Sequence, residues 1–541
     1  MLRYRLLVLC LCCLLGTHAL PIHANENEAN ATTAIVVNTS GTPITFDPQR
    51  MLGVNATMWI RNELDNPQLH ARTRALGTAL ARMPAGSDSE DYGWLSCETG
   101  TNVPDAEPCG GPNIHYGRPT DIVNFLRATN RPGIFTLNMN STAQEAAALV
   151  AFFNSRTTDT TMIGIDRRGR DWGTAGQWAQ LRARNGNPEP INLLVYEYGN
   201  EPAGGTQASG GSSCTPWGWE RVWTCDGGEY IRGSADHDGY RQFRAAMQRV
   251  DPRITLGAFA TETLDGYNSF TAEAIAAGAR EVDFYSLHHY GYFQPTVNSQ
   301  FYPAASQLPS NFWPTTTQAL RSEIARHAPG RAVPIWVNEY NLAIDHAPVG
   351  RQSFTALYLA DTVGQIIANG YTGASHWNLA DGGAHALLNS ENNFVRSPQY
   401  YAVLLWSRFG NRMLPVTSGG TEGTLRVYAG RTSAGAETLL VINYASQAAT
   451  RTLRFEANGQ PITFARATVD TASAASQTDT TMRFNGVPDP NDDLSNAPAS
   501  SLTITGENLS HTFPGTSVTL ITLRRGAADM VPRMYLPTTQ R

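Results

Sequence analysis

The sequence predicts an α/β protein: a (β/α)8 (TIM) barrel followed by a C-terminal β-sandwich. Three observations carry this reading. Between residues 51 and 410, short apolar runs bounded by turn residues alternate with segments of helical periodicity. Two of those runs, INLLVYEYGNEP (Ile191–Pro202) and VPIWVNEYN (Val333–Asn341), pass abruptly from buried-strand composition to Asn-Glu. After about Asn411 helical periodicity disappears and short β-branched strands take over. A chain of 541 residues accommodates both units, since such a barrel takes about 250 residues or more.

Residues 1–24 read as a secretory signal peptide: Arg3 and Arg5, the apolar run Leu6–Leu15, then a small residue at a plausible cleavage point. A lipoprotein signal fits less well, because Cys10, Cys12 and Cys13 lie inside the apolar run. Residues 25–50 form a polar stretch and two short strands, Ala34–Asn38 and Pro43–Phe46, expected to pair with the β domain.

The barrel spans 51–410. Its first strand is predicted over Met51–Met58, then a helix over Ala71–Leu80 and strand two over Ala79–Met83, ending at Arg82. A Gly-rich acidic loop follows. Strand three, Ile134–Met139, places Asn138 at its mouth, and Thr142–Asn154 is an Ala-rich helix. Strand four ends in Glu201. Asp238–Val250 is a helix, Ile254–Ala260 strand five, Thr271–Ala277 a short helix and Val282–Tyr290 strand six. Helix Thr317–His327 leads to strand seven, Val333–Glu339. Helix Ser353–Asn369 stops at Gly370, strand eight is Ala374–Leu379 with Trp377 at the mouth, and Tyr400–Phe409 closes the unit. The sandwich, 411–525, contains strands at Leu425–Ala429, Thr438–Tyr444, Thr450–Phe455, Ile462–Val469 and Val518–Leu523, with a long acidic loop at Pro488–Asn496. A polar tail, 526–541, ends the chain.

Composition narrows the chemistry. Every basic residue is Arg, which removes Schiff-base, pyridoxal-phosphate and P-loop lysine mechanisms. A net charge of −6 argues against nucleic acid or anionic membrane as partner, and no stretch reads as a membrane span in the mature chain. His288 and His289 are neighbours on a strand and point to opposite faces, so they do not converge on a metal. Cys97, Cys109, Cys214 and Cys225 lack a tight Cys-x2-Cys spacing. In an exported protein, proximity favours the disulfides Cys97 with Cys109 and Cys214 with Cys225. No cofactor is expected.

One Glu after a strand is ordinarily a solvated loop acid. Glu201 and Glu339, each preceded by Asn and flanked by aromatics at the ends of separate strands, together match what a sugar-cleaving barrel requires: a proton donor and a nucleophile. The insertion at 203–232 carries Trp217, Trp219 and Trp223 beside a cysteine pair. These tryptophans either stack sugar rings or pack as the loop's own small core.

With these motifs the chain resembles the retaining glycoside hydrolases of clan A, and within them family 51, the α-L-arabinofuranosidases. Arg82-Met83-Pro84-Ala85-Gly86 resembles the family's Arg-x-Pro-Gly-Gly; NPEPINLLVYEYGNEP (Asn187–Pro202) its acid/base segment; His288-His289-Tyr290 its His-x-Tyr; and Asn338-Glu339-Tyr340-Asn341 its nucleophile segment. The signal peptide implies a secreted or cell-surface protein, and the resemblance implies an enzyme acting on plant-type oligo- or polysaccharide. It implies Glu201 as acid/base, Glu339 as nucleophile, Asn200 as donor to the sugar 2-hydroxyl, Tyr290 and Arg82 as supports of Glu339, and His288 lining the pocket. The family's Glu just after strand one has no counterpart in Asn55–Trp59. Endo-β-glucanases, xylanases and β-glucuronidases of the same clan are therefore alternatives, as is a non-catalytic carbohydrate-binding surface protein.

Overall fold

The structure is a computed structural model that describes residues 34–60, 63–77, 80–110, 116–203, 226–344, 348–419, 421–422, 424–504, 507 and 509–526. The leader, the tail, and Cys214, Trp217, Trp219, Trp223 and Cys225 lie outside the described residues.

Eight parallel strands close into a barrel: β1 (Gly53–Asn55), β2 (Ala81–Met83), β3 (Gly133–Leu137), β4 (Val195–Tyr198), β5 (Thr255–Phe259), β6 (Phe284–Phe293), β7 (Ile335–Ile344) and β8 (Gly373–His376), with β8 hydrogen-bonded to β1. The first strand is shorter than its sequence predicts. Asp47 caps a one-turn helix, Pro48–Met51, by accepting from the Gln49 amide, and Pro48 at the first position needs no N–H partner. The next helix likewise starts earlier, Pro67–Ala75, because Asn66 caps it ahead of Pro67, and Gly77 at φ +94° ends it. Helices Pro119–Thr129 and Ala175–Arg184 are among those the sequence reading does not foresee. At the start of each, the third helical residue reaches back: the Asp121 carboxylate accepts from the Arg118 amide and Gln177 Oε1 from the Thr174 amide.

β6 and β7 run on well past the barrel mouth and stay paired as far as Phe293 and Ile344. Their register shifts at one place: Leu287 faces Val337, and the next pair is His288 with Glu339, so Asn338 is an extra residue in β7. The pairing with β8 shows the same slip. This bulge breaks the in-out alternation of the strand, and both Asn338 and Glu339 point inward.

The C-terminal domain is a ten-stranded sheet packed on a five-stranded one. Ile35–Asn38 lies in the smaller sheet between Ala449–Ala457 and Val416–Ser418, and Ile44–Thr45 joins the larger. Strand Glu437–Asn443 is buried along its whole length. Leu439 and Val441 fill the sandwich core, while Leu440 and Ile442 join the barrel's core on the opposite face. The period-2 signal vanishes there because both faces are apolar. Tyr428 and Tyr444 reach across this seam to buried Asp361 on helix Ser353–Ala368, whose pKa burial pushes up to about 6. A second tie is ionic: Asp489 and Asp492, in the acidic loop, pair with Arg72 and Arg396 of the barrel. The sandwich therefore buttresses the barrel through helix Ser353–Ala368, Arg72 and Arg396.

Candidate active site

The site is built outward from Arg82, the last-but-one residue of β2, whose guanidinium is fully buried. Its Nε donates to Glu197 Oε2 (2.7 Å), Nη1 to Asn55 Oδ1 and Glu339 Oε1 (both 2.8 Å), and Nη2 to Asn200 Oδ1 (2.9 Å). One cation thus ties together β1, β4, β7 and the turn after β4. A buried Arg needs such a set of acceptors, because an unpaired charge in the interior is far costlier than a paired one. Arg82→Met is expected to destabilise the fold by about 3–5 kcal/mol, since it strands Glu197 and Glu339 as uncompensated buried carboxylates. Thermal unfolding checks this, and an unchanged Tm would contradict it.

Glu197 is the inner carboxylate. Besides Arg82 it accepts from Ser286 Oγ (2.5 Å), Asn338 Nδ2 (2.9 Å) and Thr136 Oγ1 (3.2 Å). Burial pushes its pKa up, but Arg82, His288 and these donors outweigh it and hold Glu197 below the ordinary carboxylate value. It stays charged and anchors Arg82. Sequence reasoning passed over it, although a Glu inside an otherwise apolar strand was the available signal.

Glu339 is the upper carboxylate, buried at the mouth. Oε1 accepts from Arg82 and Oε2 from Tyr290 Oη (2.8 Å). Burial raises its pKa and the nearby Glu201 raises it further, while His288, Arg82 and the Tyr290 hydroxyl oppose them. The net direction is upward. Tyr290 itself is driven far above its usual value by burial and by Glu339, so its phenol remains a donor.

Glu201 sits where the chain turns after β4. Gly199 (φ +76°) and Glu201 (φ +50°) both adopt left-handed backbone, and a Cβ on Gly199 would lie 2.8 Å from Met139 Sδ. The turn is pinned by Glu90, also missed from sequence, which accepts from the Asn200 amide (2.6 Å) and the Met139 amide (3.1 Å). Glu201 is one-third exposed, and its Oε1 lies 2.9 Å from His288 Nδ1. His288 is also 3.6 Å from Glu339 Oε2. Burial lowers the imidazole pKa, but Glu339 and Glu201 raise it more, so His288 titrates above its usual value.

Single carboxylate oxygens of Glu201 and Glu339 and a ring nitrogen of His288 lie within 4.8 Å of one another. Such a trio has the donor types to hold a cation. Here Arg82 already brings a positive charge to Glu339 Oε1, which disfavours a second one.

Other predicted residues fall nearby or apart. Trp377 follows β8, with its amide on the Tyr340 carbonyl and its ring against Gly86. Asn138 follows β3, where its Oδ1 accepts from the Asn140 amide and shapes a turn. None of its recorded hydrogen bonds reaches the carboxylate pair. His289 points away from His288, to Glu262 (2.5 Å). Cys97 and Cys109 are disulfide-bonded.

No protein-family model matches the chain, and no curated protein matches it by sequence. Solved structures do match its fold. The α-L-arabinofuranosidase from Thermotoga maritima, in complex with arabinose, superposes with a TM-score of 0.66 at 16% identity, covering 91% of this chain and 99% of that one. The chain has the family 51 arabinofuranosidase fold. The thermostable family 51 enzyme from Thermotoga petrophila RKU-1 gives the same TM-score and identity over 91% of this chain and 100% of its own. A bifunctional glucanase-xylanase from a metagenome library follows at 0.58 and 16%, covering 92% and 99%. At these identities the likeness shows the fold, barrel and sandwich together.

Proposed function

We propose that this protein is a retaining glycoside hydrolase, with Glu339 as nucleophile and Glu201 as acid/base. The observation that carries the reading is the spacing of the two glutamates. Oxygens of Glu201 and Glu339 approach within 4.8 Å, as a double displacement needs, whereas an inverting pair stands about 6.5–9.5 Å apart to admit a water. The solved structures that share the fold are glycosidases, which supports the same reaction class.

The roles follow from the surroundings. Glu339 is held at both oxygens by Arg82 and Tyr290, which fixes it for attack on an anomeric carbon. Glu201, more exposed and bonded to His288, stands where a leaving-group oxygen would take its proton. Asn200 gives Oδ1 to Arg82, which turns its Nδ2 donor end away, available to a sugar hydroxyl. Water then attacks the glycosyl-Glu339 ester, with Glu201 acting as base.

Because Glu339 must be ionised to attack, its raised pKa sets the acidic limb of kcat/KM above the ordinary Glu value near ~4.3. Tyr290→Phe removes a hydrogen bond that favours the carboxylate. The limb then moves to higher pH, and a pH–rate profile on an aryl glycoside reads the shift. A limb unmoved or moved downward would separate Tyr290 from the nucleophile.

For substrate, we favour an α-L-arabinofuranoside in plant-type polysaccharide, on the fold likeness and the shared motifs. Cleavage within a glucan or xylan chain is the second reading, supported by the fold shared with the bifunctional glucanase-xylanase. Hydrolysis of aryl α-L-arabinofuranoside, aryl β-glucuronide, β-glucan and xylan, with Glu339→Gln as blank, decides between them. Wild-type rates equal to the blank on every substrate would defeat the proposal. The N-terminal run of two arginines and apolar residues supports export from the cell. Among the described residues no helix is long and apolar enough to cross a membrane.

A further inference from the structure

Glu90 lies in a 3-10 turn, Ser87–Asp91, on the loop after β2, and is 1% exposed. A buried carboxylate is costly unless its oxygens find donors, and here both find main-chain amides. Oε1 accepts from the Asn200 amide (2.6 Å) and Oε2 from the Met139 amide (3.1 Å). Asn140, beside Met139, gives its Nδ2 to the Glu90 carbonyl (3.0 Å) and to Oε2 (3.5 Å). Glu90 therefore joins the end of β3 to the turn after β4.

That turn is where Glu201 stands. Gly199 (φ +76°) and Glu201 (φ +50°) both hold left-handed backbone, and a residue other than glycine stays there only when its surroundings fix it. Asn200, between them, is gripped twice: its amide by Glu90 and its Oδ1 by Arg82 Nη2 (2.9 Å). Arg82 also binds Glu339, so a change there disturbs both glutamates, whereas Glu90 meets the turn of Glu201 directly. The chain that carries Glu90 is itself anchored. The Asp91 carbonyl accepts from the Gly110 amide and the Gly93 amide donates to the Pro108 carbonyl (both 2.8 Å). Tyr92 pairs with Cys109, which is disulfide-bonded to Cys97. The carboxylate is thus held in place before any substrate arrives.

We propose that Glu90 is a positioning residue for the proton donor: it fixes the Asn200 backbone so that the Glu201 carboxyl meets the leaving-group oxygen. The proposal rests on the glycosidase reading and deepens it. Only a carboxylate offers an acceptor to each of the two amides. A Gln of the same shape turns its NH2 group towards one of them, donor against donor.

The test compares Glu90→Gln with wild type on glycosides of whichever sugar the wild type cleaves, their leaving groups graded from methanol to dinitrophenol. An acidic phenol departs without a proton and an alcohol does not, so a displaced Glu201 loses rate at the alcohol end of the series. The quantity read is kcat/KM, which reports bond cleavage rather than later hydrolysis of the ester. It should fall about 10²-fold on the alkyl glycoside and stay within about threefold of wild type on the dinitrophenyl glycoside. Asn140→Ala removes only the outer contact to Glu90 and should tilt the series in the same direction by a smaller amount. If Glu90→Gln does not fold, that milder variant decides. A uniform loss across the series in folded protein, or no loss, overturns the positioning role and leaves the glycosidase reading standing. A wild type that cleaves no glycoside removes both.

Discussion

Glu339→Gln is expected to abolish turnover, lowering kcat by about 10⁴-fold or more, the order seen when a catalytic member of a covalent mechanism is removed. Gln has almost the shape of Glu, and its carbonyl can still accept from Arg82 or Tyr290, the partners recorded at 2.8 Å each. It has no carboxylate to attack an anomeric carbon, so the covalent intermediate does not form. Arg82 keeps Glu197 as counter-ion, so the core remains neutralised and the protein folds. Far-UV circular dichroism and thermal unfolding close to wild type, with kinetics at background, is the predicted pair of results. Near-normal kinetics would remove Glu339 from the mechanism.

Glu201→Ala should produce a different pattern. A natural sugar leaving group needs protonation, and without it kcat falls by roughly 10²- to 10⁴-fold. An aryl glycoside with an acidic phenol leaves unaided, so its first step survives and the glycosyl-Glu339 ester accumulates as a burst. Azide, needing no general base, attacks that ester and restores turnover with a glycosyl azide of retained configuration. The same rescue in wild type, or none in the variant, would show that Glu201 is not the proton donor. The geometry explains the assignment of roles: Glu339 is pinned at both oxygens, whereas Glu201 is partly exposed and bonded only at Oε1 among its recorded contacts.

The sequence disclosed the parts of this site that depend on composition and order. Glu201 and Glu339 stand out because apolar runs give way to Asn-Glu there, and Arg82 through the likeness of Arg82–Gly86 to the Arg-x-Pro-Gly-Gly segment of family 51. What stayed hidden depends on geometry. The extra residue at Asn338, which turns Glu339 into the barrel, shows only as a register slip against β6 and β8. Glu90 lies in a loop that reads as merely acidic, and only the fold carries it under the Asn200 amide. Strand Leu509–Phe513, not foreseen, has too few apolar residues to announce itself and is held by pairing with Ala449–Ala457. β1 begins later than its apolar run suggests because Asp47 caps a helical turn, Pro48–Met51, that takes up the start of the run.

The central claim is double displacement at Glu339, and the stereochemistry of the first product tests it most directly. Proton NMR during the first minutes of hydrolysis, on whichever substrate of the panel is turned over, reports the anomer before mutarotation scrambles it. The approach of Glu201 and Glu339 to within 4.8 Å predicts a product of the same anomeric configuration as the substrate. A first-formed product of opposite configuration would contradict it, and would mean that a water, not Glu339, meets the anomeric carbon.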